Sequence, residues 1–414
     1  MRDNITVWII AAKFPSTLQR WLTNIAMQIP KHGSAVKIFF MREGETGFPT
    51  DSDEYKLSQH AELLEIEGVN SFKKIARNFL NPKTFWPALK GTFNSNPLGN
   101  ANKSRINNLL SRLVLAPYLI KSKVDIIHSH SEPAGYKLLP MVRAQKVPFV
   151  ITFHGLPPPG VNELPVRMRE EYTQAASVIL VNTEFSKRQY SQLGACEEKI
   201  RILPQGTNTQ KFKFKAKRFP ADKIIRVLTV ARFHSEKGQE YALRAVAKLI
   251  NAGYQIHYTL VGEGPDRAYL ECLANELDID PFIRFKSALS EEEIITEYQA
   301  HHIFILPSLG ADDGLHEETQ GVVIQEAQAC GTMVIATQTG GIPECMQYGK
   351  QGFLVPDKDD NAIADRLRHI IDNPQLWAEW QNSARKWVED NYDIDVIGGK
   401  MMQLYDELRQ SHHQ

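Results

Sequence analysis

Short unbroken apolar runs recur along the chain, separated by stretches of helical periodicity. In the first half they are Thr6–Ala12, Val36–Phe40, Val124–His128, Phe149–Phe153 and Val178–Val181. In the second half they are Arg226–Ala231, His257–Val261, Ile303–Leu306 and Met333–Ala336. Runs of this length without alternation are expected of strands covered on both faces. Between them, Tyr241, Ala242, Ala245, Val246, Leu249 and Ile250 repeat at helical spacing up to Gly253, a natural stop. Strand–helix–strand repeated this often predicts an α/β protein with parallel sheets. The segment Pro204–Ile224 is polar and basic and interrupts the alternation. Two domains are therefore expected, residues 1–205 and 206–385. A helical segment at 386–414 follows, with Ile397, Met401, Leu404, Tyr405 and Leu408 on one face. No strand comes after it, so it is expected to pack back on the first domain.

Length agrees, since 414 residues exceed one ordinary core. Val7–Ala12 is apolar but is preceded only by Arg2 and ended by Lys13, so it reads as a first buried strand and not as a signal peptide. No stretch reaches the roughly 20 apolar residues of a membrane span. The four cysteines are scattered, which fits a reducing compartment and gives no zinc pattern. A cytoplasmic protein is expected.

The formal net charge of +0 hides an asymmetry. Residues 1–205 carry 26 Lys and Arg against 17 Asp and Glu, whereas residues 206–414 carry 22 against 31. Gly68–Val124 has no acidic residue, and ten basic ones fall between Lys73 and Lys123, interleaved with Phe72, Phe79, Phe85, Trp86 and Phe93. Such a half suits an anionic partner. Basic and aromatic residues together suit the inner face of an anionic membrane, so peripheral attachment is expected, with no nucleic acid as partner.

Two carboxylates, Glu318 and Glu326, flank the start of a helix expected to run from near Gln320 to Gly331, just past the strand Ile303–Leu306. Ligands of open α/β sheets bind at that edge, helix N-termini favour anions, and carboxylates accept from sugar hydroxyls. On spacing alone the pair reads equally as a solvated acidic helix start. Arg232 and Lys237 lie where another strand gives way to a helix. Together they can neutralise a diphosphate without a metal. Gly262 and Gly264 follow a third strand, where an ordinary turn or close approach to a ligand explains them equally. Gly340–Glu344 follows a fourth. In the first half, His128, His130 and His154 gather at strand ends without metal-ligand spacing.

These residues resemble the retaining family-4 glycosyltransferases of the GT-B fold, in which two Rossmann-like domains face each other across a cleft. The family's E-x7-E motif resembles Glu318–Glu326. Its arginine and lysine resemble Arg232 and Lys237, its GxGP Gly262–Pro265, its GGIPE Gly340–Glu344 and its HG His154-Gly155. The stretch Ile202–Phe212 resembles the family's domain junction, with Gln205 and Asn208 in place of Asn and Asp. Phe14, Pro15, Ser16 and Gln19 resemble the FPxxSETF opening of exopolysaccharide, lipopolysaccharide and colanic-acid-type members, which helps to form the acceptor side together with His128 and His130. Thr319 stands where glycine is usual.

The resemblance implies that Arg232 and Lys237 hold the donor diphosphate and that Glu326 binds the ribose. Glu318 would bind a hydroxyl of the transferred sugar, which His154 contacts from across the cleft. Gly262, Gly264, Thr319, Gln320, Gly321 and Val322 would line the donor, with backbone N–H groups near Gly321 assisting. The implied reaction is transfer with retention from a nucleoside-diphosphate-sugar, UDP favoured over GDP, to a lipid-linked saccharide. It needs no cofactor, no metal and no protein base. An epimerase or phosphorylase of the same fold, or a catalytically degenerate glycan- or nucleotide-binding scaffold, are the alternatives. Loss of transfer in Glu318→Ala separates enzyme from scaffold.

Overall fold

The computed structural model describes residues 4–14, 20–43, 52–65, 80–82, 86, 123–156, 165–311 and 317–413. The chain forms two compact units. Met1–Val181, Lys187–Leu203 and Gly398–Gln414 make the first, and Asn182–Ser186 with Pro204–Ile397 the second.

The first unit is built on strands β1 (Thr6–Phe14), β2 (Ala35–Glu43), β3 (Ala61–Glu65), β4 (Ile126–Ser129), β5 (Phe149–Thr152), β6 (Val178–Val181) and β7 (Ile200–Ile202). Between them come helices α1 (Arg20–Lys31), α2 (Asp53–His60), α3 (Glu132–Gln145), α4 (Val166–Ala175) and α5 (Glu184–Gln192), whose first residues to Ser186 belong to the second unit. All pairings are parallel, in the order β3-β2-β1-β4-β5-β6-β7.

The second unit carries β8 (Ile225–Val230), β9 (Ile256–Val261), β10 (Ile283–Lys286), β11 (Ile303–Leu306), β12 (Met333–Thr337) and β13 (Phe353–Val355), in the order β10-β9-β8-β11-β12-β13. Its helices are α6 (Gln239–Asn251), α7 (Arg267–Glu276), α8 (Glu291–Ala300), α9 (Val322–Ala329), α10 (Asp360–Asp372) and α11 (Trp377–Asn391). The last helix, α12 (Ile394–His413), begins here, and residues from Gly398 onward belong to the first unit.

Why the apolar runs do not alternate is visible in the packing. Successive residues of a strand point to opposite faces, and both faces are covered. In β11, Ile303 and Ile305 join one core while Phe304 and Leu306 join another. In β1, Trp8 and Ile10 face one core, and Val7, Ile9 and Ala11 the other. The latter core also takes Met401, Met402, Leu404 and Tyr405 from α12.

All nine expected strands are present, each end within two residues of the expected one except that of β2, which runs three residues further, to Glu43. Four more, β3, β7, β10 and β13, were not expected, and each is a sheet edge. In both sheets the chain order reverses beside the first strand of the unit, between β1 and β4 and between β8 and β11. Such switch points open a crevice beyond the strands' carboxyl ends, where α/β sheets bind ligands.

Candidate functional site

In the second unit the switch point brings together two loops far apart in sequence. After β8 the chain passes Arg232, turns through Ser235–Lys237 and enters α6. After β11 it returns past Glu318 to α9. The ammonium of Lys237 lies 3.0 Å from Oε2 of Glu318. A third residue, Glu236, joins them: its Oε1 accepts from Arg232 at 2.8 Å and lies 3.8 Å from the Lys237 Nζ. The expected pair of cations is therefore held against two carboxylates. Arg232 is largely exposed, its side chain 67% accessible, whereas Lys237 and Glu318 are at 17% and 25%. Glu236 was not expected to take part. It sits inside the Arg232–Lys237 motif, and helix-like spacing to Arg232 was the available signal.

The glycines hold this arrangement. A side chain on Gly238 would overlap the Pro307 carbonyl, one on Gly262 the Ala231 carbonyl, and one on Gly264 the Phe233 backbone. The 262–264 turn is thus packed against the Arg232 loop, fixed further by Phe233 N–H donating to the Glu263 carbonyl at 2.9 Å. Close approach there is between two protein loops. Likewise Gly340 and Gly341 fit under the carbonyls of Glu318 and Thr319, and Gly341 N–H donates to the Glu318 carbonyl at 2.8 Å.

Helix α9 begins at Val322, two residues later than expected. Gly321 is its N-cap in the left-handed region, φ 73°, and no side chain caps the helix. The first-turn N–H groups remain able to meet an anion. Gln320 and Thr319, expected to line the donor, have buried side chains engaged elsewhere in the unit. The Gln320 amide accepts from the Gln205 N–H at 2.7 Å and donates to the Gln205 carbonyl at 3.0 Å. The Thr319 hydroxyl accepts from Asn182 at 3.3 Å, and its carbonyl from Thr183 at 2.8 Å. Burial leaves both side chains bonded inward, so what they can offer at the helix start is backbone. Val322 is half-buried at the helix start. Asn208, in the place of the usual Asp, accepts from the N–H groups of Gln210 and Lys211 at 3.1 and 3.2 Å, a turn that either side chain closes.

Glu326 lies inside α9 and accepts from the hydroxyl of buried Tyr298 at 3.1 Å. Burial, then the charge of Glu326, raises the Tyr298 pKa well above its ordinary value, so it stays a donor. Tyr298 was not expected; nothing in the pattern of α8 marks it. The Cys345 thiol, donating to the Gln320 carbonyl, is pushed up to about 12 by burial and is an inert core thiol.

In the first unit the three histidines do gather at the carboxyl ends of β4 and β5. His130 Nδ1 lies 3.0 Å from His154 Nε2, and the Trp21 ring sits over His154 with centroids 3.6 Å apart. Burial lowers His128 and His154 well below the usual histidine range and His130 to about 3, so all three are neutral near pH 7. His128, expected on the acceptor side, is wholly buried with Nδ1 bonded to the Tyr405 hydroxyl and Nε2 to the Thr152 hydroxyl, both at 2.6 Å. It has no group left for a ligand. The Phe14 side chain is likewise in the core, 1% exposed and packed near Phe40. Pro15, Ser16 and Gln19 lie outside the described residues, as does nearly all of the Lys73–Lys123 stretch.

Residues 18–211 match the family model of Glycosyltransferase Family 4, and residues 210–387 match that of Glycosyl transferases group 1. The chain is a glycosyltransferase. It is 24% identical over 413 residues to the Escherichia coli (strain K12) protein named "Putative colanic acid biosynthesis glycosyltransferase WcaL", covering 96% of this chain and 98% of that one. To the amylovoran biosynthesis glycosyltransferase AmsK of Erwinia amylovora it is 29% identical, over 52% of this chain and 53% of that one. Among solved structures, the glycosyltransferase resembles Anabaena Alr3699/HepE in complex with UDP and glucose, with a TM-score of 0.70 at 18% identity, covering 98% of this chain and 100% of that one. The fold is GT-B.

Proposed function

We propose that this glycosyltransferase moves a sugar, with retention, from a UDP-sugar to a lipid-linked saccharide in the synthesis of a cell-surface polysaccharide. The observation that carries the reading is the meeting of Lys237 with Glu318 beside the uncapped start of α9. Arg232 and Lys237 would exchange their carboxylate partners for the diphosphate, and the α9 N–H groups would share the charge of the departing phosphate. Well-placed donors of this kind contribute roughly 3–4 kcal/mol each to a transition state. Glu326, oriented by Tyr298, would take the ribose hydroxyls. Glu318 would accept from a hydroxyl of the transferred sugar, and His154 would supply a further contact to that sugar. With two cations for the diphosphate no metal is needed, so transfer should survive EDTA. The acceptor proton would pass to a phosphate oxygen, which needs no protein base.

Two named relatives, in colanic acid and amylovoran synthesis, support a polysaccharide product, and the Anabaena neighbour's UDP complex supports the donor class. Among the described residues no helix is long and apolar enough to cross a membrane. Attachment to a membrane surface would rest on the Lys73–Lys123 stretch.

A thermal-shift panel of UDP-, GDP- and ADP-sugars tests the donor. A ligand at 100 times its dissociation constant stabilises by about 2.7 kcal/mol, so a UDP-sugar should shift the transition and the others should not. A shift with a GDP-sugar alone would contradict the choice of base.

A further inference from the structure

The Nδ1 of His130 meets the Nε2 of His154 at 3.0 Å, and one of these two neutral rings must supply the proton between them. Two arrangements are possible. In the first, His130 Nδ1–H donates to His154 Nε2, and the other nitrogen of His130 is a bare lone pair. In the second, His154 Nε2–H donates, and His130 must carry a lone pair on Nδ1 and a proton on Nε2. His130 is 8% exposed as a residue, and its Nε2 is buried with no hydrogen-bond partner among the described residues. A buried N–H left without an acceptor is rarer than an acceptor left without a donor. The first arrangement therefore prevails.

We infer that His130 is a positioning residue that holds His154 in the tautomer protonated on Nδ1, so that the ring presents a donor, and not an acceptor, on its side away from His130. The inference rests on the proposed contact of His154 with the transferred sugar and adds what sets the proton and the ring plane for it. Trp21 completes the clamp. Its ring, tilted 33° from that of His154 at 3.6 Å, leaves the imidazole little freedom to flip. The His130 ring packs against that of His128, tilted 35° with centroids 4.0 Å apart, and His128 is bonded at both nitrogens, so the donor is anchored to the sheet. Partners that fix an imidazole's tautomer matter at metal sites by roughly 10- to 100-fold. A similar loss of transfer is expected here when the partner is removed.

The test is two-bond 1H–15N spectroscopy of the full chain labelled with 15N-histidine, near pH 7.5 and without ligand, with His154 assigned from its absence in His154→Gln. The wild type should show His154 protonated on Nδ1 and bare on Nε2. His130→Asn, whose amide N–H can stand in for Nδ1–H, should keep that state. His130→Leu should release His154 to a mixture led by the Nε2–H form, with circular dichroism unchanged. A proton on His154 Nε2 in the wild type would overturn the inference, as would a folded His130→Leu with an unchanged His154 spectrum. If His130→Leu does not fold, the wild-type spectrum decides alone. Because no sugar is present, the outcome is independent of whether His154 contacts one.

Discussion

The Lys237 ammonium and the Glu318 carboxylate, 3.0 Å apart, come from loops after neighbouring strands 81 residues apart in sequence. Their partnership means that the cation proposed for the donor's phosphate and the carboxylate proposed for its sugar are already held together without a donor. Arriving diphosphate would take Lys237 from Glu318, and the freed carboxylate would then be available to a sugar hydroxyl. Binding and orientation would thus be coupled through one side chain.

Glu236 competes with the diphosphate in the same way. Its ion pair with Arg232 is exposed, so it is worth little to stability. Glu236→Gln should leave the melting temperature unchanged but tighten UDP binding by a factor of roughly 1.5 to 5 at low salt, the range of an exposed pair. The gain should vanish near 1 M salt, where screening is short. Calorimetric titration at two salt concentrations checks this; weaker binding at low salt would show that Glu236 supports Arg232 instead.

Gly262→Ala tests whether the glycine turn serves the Arg232 loop. The new methyl would overlap the Ala231 carbonyl, which belongs to the backbone and cannot simply rotate away. A loss of about 1–3 kcal/mol is expected in urea unfolding, as for other overpacked sites. UDP binding should weaken at the same time because the loop must shift. Full stability with full binding would show that the turn yields freely.

Acid should destabilise the protein through its buried neutral histidines. His302 Nδ1 accepts from the Arg226 N–H at 2.9 Å, and burial lowers its pKa to about 4; burial lowers His130 to about 3. Both folded values lie below the unfolded one near 6.5. In that window the unfolded chain binds more protons, so stability is full above pH 6.5 and falls as the pH drops toward 4. The urea midpoint should decline over that range. His302→Asn, which keeps an acceptor but cannot titrate, should make the decline shallower. An unchanged slope in this variant would remove His302 from the explanation.

The interior strands were legible because burial on both faces writes itself as an unbroken apolar run, as in Ile303–Leu306 and Val178–Val181. The edges were not. In β3, Ala61-Glu-Leu-Leu-Glu65 mixes charge with apolar residues, and in β7 Arg201 and Ile202 are exposed. An edge strand is covered less completely, so its sequence loses the signal. The motif residues Arg232, Lys237 and Glu318 were readable as lying at strand and helix ends, and Glu326 as lying inside the helix that follows. What could not be read was occupancy: that Gln320 bonds back to Gln205, or that His128 is spent on Tyr405 and Thr152. Those partners lie far away in sequence and leave no spacing to detect.

The basic stretch predicts binding to anionic lipid. Each basic residue near such a surface is worth about 1 kcal/mol. Co-sedimentation should require anionic vesicles, weaken above physiological salt, and fall when Lys73, Lys74 and Arg77 become Glu. Equal binding to neutral and anionic vesicles, or none to either, would leave a soluble acceptor as the better reading.

The central claim is that Lys237 serves the diphosphate while Glu318 serves the sugar. Calorimetric titration of UDP into the wild type, Lys237→Met and Glu318→Gln tests it most directly, since UDP carries the phosphate without the sugar. Lys237→Met should weaken UDP by at least tenfold, the scale of a lost charge-assisted hydrogen bond. Glu318→Gln should bind UDP as well as the wild type or better, because its lysine is released. A Glu318→Gln protein that is folded yet binds UDP as poorly as Lys237→Met would contradict the division of roles.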